Sequence, residues 1–277
     1  MALRIFEVAI PFELQKKADL EKIRVRDFFS ITVRIFKTFF FAKLGDMAIE
    51  EAQSILNNVV EYNQLIYEEY SRFVGQRVLE VGTASGNNAR LLLDRNFLVL
   101  TDIHQSYIES LQYQYRDWEN IHVRKFDASE ISSFKEKDWE GTFDTIICLN
   151  VVEHIQDDAQ VLKNFYRLLK QGGHCIILVP AHQKIYGAMD KCAGHYKRYC
   201  EKDLRTLFEN AGFKLKQVAF FNPLAVAGWW FNGVILKRKT IPPFQTKIFN
   251  KISFLIRWLK PLKLPFGISI IGIGEKQ

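Results

Sequence analysis

One stretch constrains this chain more than any other: Arg77 to Asp102. A short apolar run, Val78 to Val81, reads as a buried strand. It runs into a small-residue turn, Gly82-Thr83-Ala84-Ser85-Gly86, and a helix is predicted to begin near Asn88. A second apolar run, Phe97 to Leu100, stops at Asp102. Strand, glycine turn, helix, strand and acid make up the start of a nucleotide-binding α/β sheet. Gly82 permits a sharp turn, and Gly86 lets backbone approach a ligand. Asp102 sits at the end of the second strand, where a carboxylate accepts bonds from a ribose diol.

The turn lacks the G-x-G-x-x-G spacing of dinucleotide-binding dehydrogenases. Glu80-Val81-Gly82-Thr83-Ala84-Ser85-Gly86 instead resembles E-x-G-x-G-x-G, the first motif of class I S-adenosylmethionine (SAM) methyltransferases. It departs from the motif at Ala84, where glycine is usual; alanine is the mildest replacement unless that residue needs positive φ. A second match is Phe143 to Ile155, an apolar strand followed by Glu153-His154-Ile155, similar to the E-H-[IV] of the family's fourth motif. An L-K-x-G-G spacing, Leu169 to Gly173, precedes the fifth strand, as is typical of the family. The resemblance implies SAM as cofactor, bound by Glu80, Gly82, Thr83, Ala84, Gly86, Asp102, Ile103, Asp127, Ala128, Asn150 and Val151. It also implies a Rossmann-like α/β fold, a seven-stranded, mostly parallel sheet of order 3-2-1-4-5-7-6 with strand 7 antiparallel and helices on both faces. Asp127 has two readings, a turn or cap aspartate or the family's adenine-binding acid.

A chain of 277 residues can bury a sizeable core, and 48% apolar content excludes a disordered protein. Cys148, Cys175, Cys192 and Cys200 form no C-x-x-C pair, so neither a disulfide scaffold nor a zinc site is expected, and a cytoplasmic setting fits. The N-terminus lacks the apolar core of a signal peptide. The net charge of +7 is unevenly distributed. Residues 1–44 carry nine basic and five acidic side chains, and residues 212–277 carry eleven against one. No acid occurs from Phe213 to Gly274, and the middle of the chain is net acidic. Such polarity concerns partners rather than fold.

Residues 1–44 read as an N-terminal cap segment, with a membrane-surface segment as the second reading. Residues 45–277 form the cofactor-binding domain. A helical period over 46–73 (Ile49, Ala52, Ile55, Val59, Tyr62, Ile66, Tyr70, Phe73) precedes the first strand. Helices are expected over 104–118, from Asp157 or Asp158 to the Gly172-Gly173 pair, and from Glu201 to Ala211. Strands are expected at Ile121–Ala128, Cys175–Pro180, Phe213–Phe221 and Ile268–Ile273. A basic helical insertion spans 222–266. Gln217 to Leu236 is free of charge, but Asn222, Pro223, Gly228, Asn232 and Gly233 argue against a membrane span. The insertion's later half is either a helix docked on the domain or an interfacial helix on anionic lipid, peripheral at the inner membrane face.

Between Ala181 and Tyr199 the chain has little periodicity but much chemistry. Gly194-His195-Tyr196-Lys197-Arg198-Tyr199 resembles a G-H-x-R-R-Y segment of methyltransferases in bacterial glycan and lipid-carrier pathways. On that resemblance Tyr186, Tyr196, Arg198 and Tyr199 are candidate acceptor contacts; the other reading is a solvated aromatic loop. His154 and His195 are the candidate bases for a hydroxyl acceptor, since a histidine titrates near working pH. No metal is implied, because Glu153, Asp157 and Asp158 also suit a helix N-terminus. The expected reaction is methyl transfer to a hydroxyl, less readily to nitrogen or carbon, of a small-molecule, glycan or lipid-linked acceptor, with no nucleic acid involved. The alternatives are an NAD- or nucleotide-sugar-dependent oxidoreductase and an inactive SAM-binding module.

Overall fold

The computed structural model describes residues 61–133, 139–240 and 264–277, the helical turn Phe254–Leu259, and a few single positions between 242 and 262. The expected cap over 1–44 and the stripe positions Ile49 to Val59 lie outside the described residues. Seven strands form one sheet: β1 (Arg77–Val81), β2 (Phe97–Asp102), β3 (Ile121–Lys125), β4 (Phe143–Leu149), β5 (Leu169–Pro180), β6 (Phe213–Phe221) and β7 (Ser269–Lys276). Their order is β3-β2-β1-β4-β5-β7-β6, and β7 runs antiparallel to both neighbours. This is the expected topology.

Side chains alternate faces along each strand, so a sheet buried on both sides is apolar throughout. Val78 joins Leu98, Leu100, Ile147, Ile176 and Ile271 on one face. Helix α1, described over residues 61–70, and α2 (Gln105–Gln114) cover that face with Leu65, Ile66, Tyr70, Ile108 and Leu111. Leu79 and Val81 point the other way, into Ile146, Cys175 and Ile177. There α3 (Asp158–Leu168) contributes Val161, Leu162 and Phe165, and the later helix Glu201–Asn210 contributes Leu204 and Phe208. Between those two helices lies the short α4 (Ala188–Ala193), so Glu201–Asn210 is α5. Asp157 caps α3 by accepting from the Gln160 amide at 3.0 Å.

Two elements differ from expectation. No α-helix follows the glycine turn, only a 3-10 turn over Ala89–Leu91. The Asn88 side chain does not cap it; it is drawn inward to Glu80 and Tyr70. Helix α3 ends at Leu168, before the Gly172-Gly173 pair, because Leu169 turns extended and pairs with Phe143. The two glycines then sit within β5, close to its irregularity opposite Phe143 and Thr145. The uncharged run from Gln217 divides as its glycines and asparagines suggest. After β6, Asn222 takes φ +57°, and α6 (Ala225–Trp229) passes into a π-helical turn, Trp230–Ile235. Among the described residues no helix is long and apolar enough to cross a membrane.

The loops that follow β1, β2, β4, β5 and β6 all emerge at one edge of the sheet, since these five strands are mutually parallel. Strand order reverses between β1 and β4, which opens a crevice at that edge. Packing of α5 requires two glycines on β7. A Cβ on Gly272 would stand 2.6 Å from Phe208, and one on Gly274 would collide with Phe208 and come within 2.9 Å of Phe213. Gly274→Ala is therefore expected to destabilise the fold by about 1–3 kcal/mol through overpacking, read as a lower urea midpoint. An unchanged midpoint would show that Phe208 has room to yield.

Candidate functional site

The turn after β1 is held from both sides. The amides of Gly82 and Thr83 both donate to Thr101 O at 2.9 Å, which ties the turn to β2. Asp102, 5% exposed, accepts from the Ala84 amide at Oδ2 (3.0 Å) and from the His104 amide at Oδ1 (2.8 Å). Each of its oxygens keeps a second lone pair for a ligand hydroxyl. Gly82 (φ +74°) could carry no side chain, because a Cβ would collide with Val151 Cγ2. The turn after β1 thus touches the loop after β4. Ala84 takes φ +51°, the left-handed conformation that glycine accommodates more easily.

Glu80 is 4% exposed at the end of β1. Its Oε1 accepts from Asn88 Nδ2 at 2.9 Å, and Asn88 Oδ1 accepts from Tyr70 Oη at 2.8 Å. Burial pushes its carboxyl up to about 7, with Asn88 and Thr83 opposing. Among the described residues Glu80 Oε2, Ser85 Oγ and Tyr115 Oη are buried without a hydrogen-bond partner. Tyr115 Oη would lie 3.4 Å from a Cβ on Gly86, so these atoms gather around the turn. SAM fits them: it carries an ammonium and a sulfonium, and a cation stabilises the ionised form of a buried carboxylate.

The other candidate cofactor residues surround this turn at the same edge. Ile103 is 51% exposed beside Asp102. Asp127 Oδ1 accepts from the Ser129 amide and hydroxyl, so it shapes its own turn. Ala128 is buried, with its carbonyl bonded by Asn164. Asn150 takes φ +55°, and its amide donates to Leu178 O, which carries the chain across β5 and into Val151.

The loop after β5 brings its residues to the same crevice. Its two ends are joined by the Ala181–Tyr199 bridge. Asp190, fully buried, organises it. Asp190 Oδ1 meets His195 Nδ1 at 2.9 Å and Arg198 Nε at 2.8 Å. Its Oδ2 accepts from the Gly187 amide (2.9 Å) and from Trp229 Nε1 (3.3 Å). A carboxylate partner assigns the proton to His195 Nδ1. The His154 and His195 rings meet edge to face, 4.8 Å between centroids. Glu153 lies beneath them at 1% exposure, and burial pushes it up to about 8.

The four candidate acceptor contacts divide. Tyr186 donates to His195 O, and Tyr196 is 59% exposed at the rim. Arg198 and Tyr199 are 2% and 1% exposed. Arg198 bonds Asp190 and Ala181 O and stacks on Trp229, and Tyr199 Oη donates to Asp158. These two hold the loop's shape instead of presenting groups to an acceptor. Asp190, Glu153, Asn88 and Trp229 were not among the predicted site residues, although Glu153 stood inside the E-H-[IV]-like motif and Asp190 in the stretch from Ala181 to Tyr199. Glu153, His154 and His195 also form a group able to hold a metal ion, with donor atoms within 4.8 Å of one another.

The sign of the Glu80 shift gives a test. A raised carboxyl pKa means the fold prefers the protonated form. The unfolded chain releases that proton near 4.5 and the fold near 7, so stability falls as pH rises between them. The ionisable groups that feel Glu80, namely Tyr70, Tyr115 and Cys148, are all pushed upward and out of this window. Glu153 slopes the same way, so the comparison is with Glu80→Gln. In urea titrations of cofactor-free protein at pH 5 to 8, the wild type should lose on the order of 3 kcal/mol more than the variant. Parallel curves would place the charge of Glu80 elsewhere.

Residues 55–218 match the model of a family described as a methyltransferase domain. A ubiquinone biosynthesis O-methyltransferase of Acinetobacter baumannii is 24% identical over 182 residues, 59% of this chain and 75% of that protein. The YcgJ protein of Bacillus subtilis superposes with a TM-score of 0.53 at 16% identity, over 78% of this chain and 98% of its own. An S-adenosylmethionine-dependent methyltransferase from Mesorhizobium loti gives a TM-score of 0.52 at 13% identity, over 73% and 92%. With the sheet order, the turn after β1 and the acid ending β2, the matched model makes this chain a member of the methyltransferase-domain family, a class I SAM-dependent methyltransferase.

Proposed function

We propose that this enzyme methylates a hydroxyl oxygen, and that the acceptor is held at Glu153, His154 and His195. The observation that carries this reading is the meeting of two histidines at the crevice edge, one of them fixed by a buried aspartate. The Acinetobacter relative, named as an O-methyltransferase, agrees with it. SAM supplies an electrophilic methyl carbon and a neutral leaving group. Glu80 faces its cationic end, Asp102 accepts from the ribose hydroxyls, and Asp127, Ala128 and Ile103 flank the adenine. Gly82 and Val151 close the space between donor and acceptor. The remaining task is orientation of the hydroxyl and loss of its proton, and the Glu153–His154–His195 cluster holds the hydroxyl and promotes that loss. Asp190 keeps the His195 ring in one orientation, with Nε2 turned to the acceptor.

A carrier-bound acceptor, such as a lipid-linked glycan at an anionic membrane surface, suits the insertion. Trp230, Ile235, Leu236, Trp258, Leu262 and Phe266 are large, apolar and exposed, and all lie in a stretch without acids. The same stretch adjoins the site through Trp229 and through Gly233, whose backbone abuts Gly187. Aromatic side chains with surrounding positive charge bind anionic lipid interfaces.

Two experiments bear on these readings. Cells expressing wild type or His195→Ala are fed methyl-labelled methionine, and new labelled products are compared. The variant should lose roughly a hundredfold or more of product, and fragmentation should place the label on oxygen. Label on carbon or nitrogen, or undiminished product, would sink the proposal. For the surface, sedimentation with anionic vesicles at low salt should exceed that with neutral vesicles, and Trp230→Ala with Trp258→Ala should weaken it. Equal, negligible sedimentation throughout would return the insertion to plain packing.

A further inference from the structure

Glu153, His154 and His195 place one carboxylate oxygen and two imidazole nitrogens within 4.8 Å of one another. They come from two different loops, after β4 and after β5. The Tyr196 amide, which donates to Glu153 O at 2.8 Å, fixes the loops together beside the cluster. The two rings are not stacked but edge to face, at 77°. Each ring has its outer nitrogen occupied. His195 Nδ1 is bound to Asp190, whose carboxylate is held in turn by Arg198, Gly187 and Trp229. His154 shares a hydrogen bond with the Gly194 backbone, and its Nδ1 lies on that side. Both rings therefore keep Nε2 for a shared partner. Glu153 Oε2 is buried and has no hydrogen-bond partner among the described residues. The nearby Arg198 guanidinium favours ionisation of Glu153 through its charge, while its own hydrogen bonds go to Asp190 and Ala181 O. A buried carboxyl oxygen left unpaired beside two imidazoles leaves a place for a ligand, and a bound cation would favour its ionised form.

We propose that Glu153, His154 and His195 bind a divalent transition-metal cation of the zinc or manganese class. Two imidazoles and one carboxylate form the donor set of catalytic sites that keep a position open. A calcium or magnesium site would be built from oxygen donors. The Asp190–His195 contact is the carboxylate–histidine support that orients a metal-binding ring. A structural site would close with a fourth protein ligand; here three donors gather, and His154 among them is exposed. The role of the cation rests on the function proposed above: it takes the acceptor hydroxyl oxygen. The hydroxyl proton passes to water, the oxygen forms its bond to the methyl carbon as the carbon–sulfur bond breaks, and that electron pair neutralises the sulfonium. The histidines then act as ligands, and the cation ends each turnover unchanged.

The test uses the full chain, stripped with chelator and dialysed. Zinc is titrated by calorimetry, and cobalt is followed by its visible absorption as a spectroscopic substitute. Wild type should take up one cation per chain. Glu153→Gln and His195→Gln should abolish that uptake, and Asp190→Asn should weaken it by about 10–100-fold through the lost support of His195. Binding of S-adenosylhomocysteine by each variant serves as the folding control and should be unchanged. No uptake by wild type, or equal uptake by wild type and Glu153→Gln, overturns the site. Methyl transfer that survives chelation while the stripped protein still binds zinc at this cluster overturns the role assigned to the cation. Since uptake is measured without any acceptor, an error about the acceptor atom cannot be mistaken for failure of the site.

Discussion

In methyl transfer donor and acceptor have to meet within a bond length, and in the function proposed above the contact between Gly82 and Val151 sets where. The turn after β1 is tied to Asp102, and the loop after β4 carries Glu153 and His154. These segments touch where no side chain fits on Gly82. Parallel pairing of β1 with β4 brings the two strand ends level, with Val81 opposite Cys148. Any bulk at Gly82 would wedge the two loops apart, and positioning errors of that kind are costly in transfer reactions.

Three buried acids show how differently a fold can treat a charge. Asp190 has its oxygens met by His195, Arg198, Gly187 and Trp229, and it serves as architecture. Glu80 has one oxygen met by Asn88 and one unmet. Glu153 also has an unmet oxygen, and its carboxyl lies beside two imidazoles. Native interiors leave few polar groups unsatisfied, so the unmet ones point to ligands. Satisfaction of Asp190 by four different residues also explains why Arg198 is not available to an acceptor.

Much of this could be read along the chain. The apolar runs at Val78, Phe97, Phe143 and Phe213 became strands, and Asp102 closes β2 where a ribose acid belongs. Ala84 carried its own warning, since alanine suits that turn only if φ is negative, and it is not. The errors had local causes with distant origins. Asn88 reads as the start of a helix, but Glu80 and Tyr70 draw its side chain into the core, and the backbone follows only as a 3-10 turn. Leu169 reads as the last turn of a helix, yet pairing with Phe143 converts it to strand.

Sequence by itself determined the strands, the glycine turn and the acid after β2, because these depend on periodicity and on backbone freedom over a few residues; the strand order and the family came from the resemblance of its motifs. Tertiary structure decided the rest. Whether Arg198 faces an acceptor or a buried aspartate depends on the return of the loop to Ala181, and whether Glu153 caps a helix or joins two histidines depends on the loop after β5 folding over the loop after β4. Hydrogen bonds and metal-donor geometry are set by distances of a few ångströms between segments remote in the chain, and no local pattern encodes them.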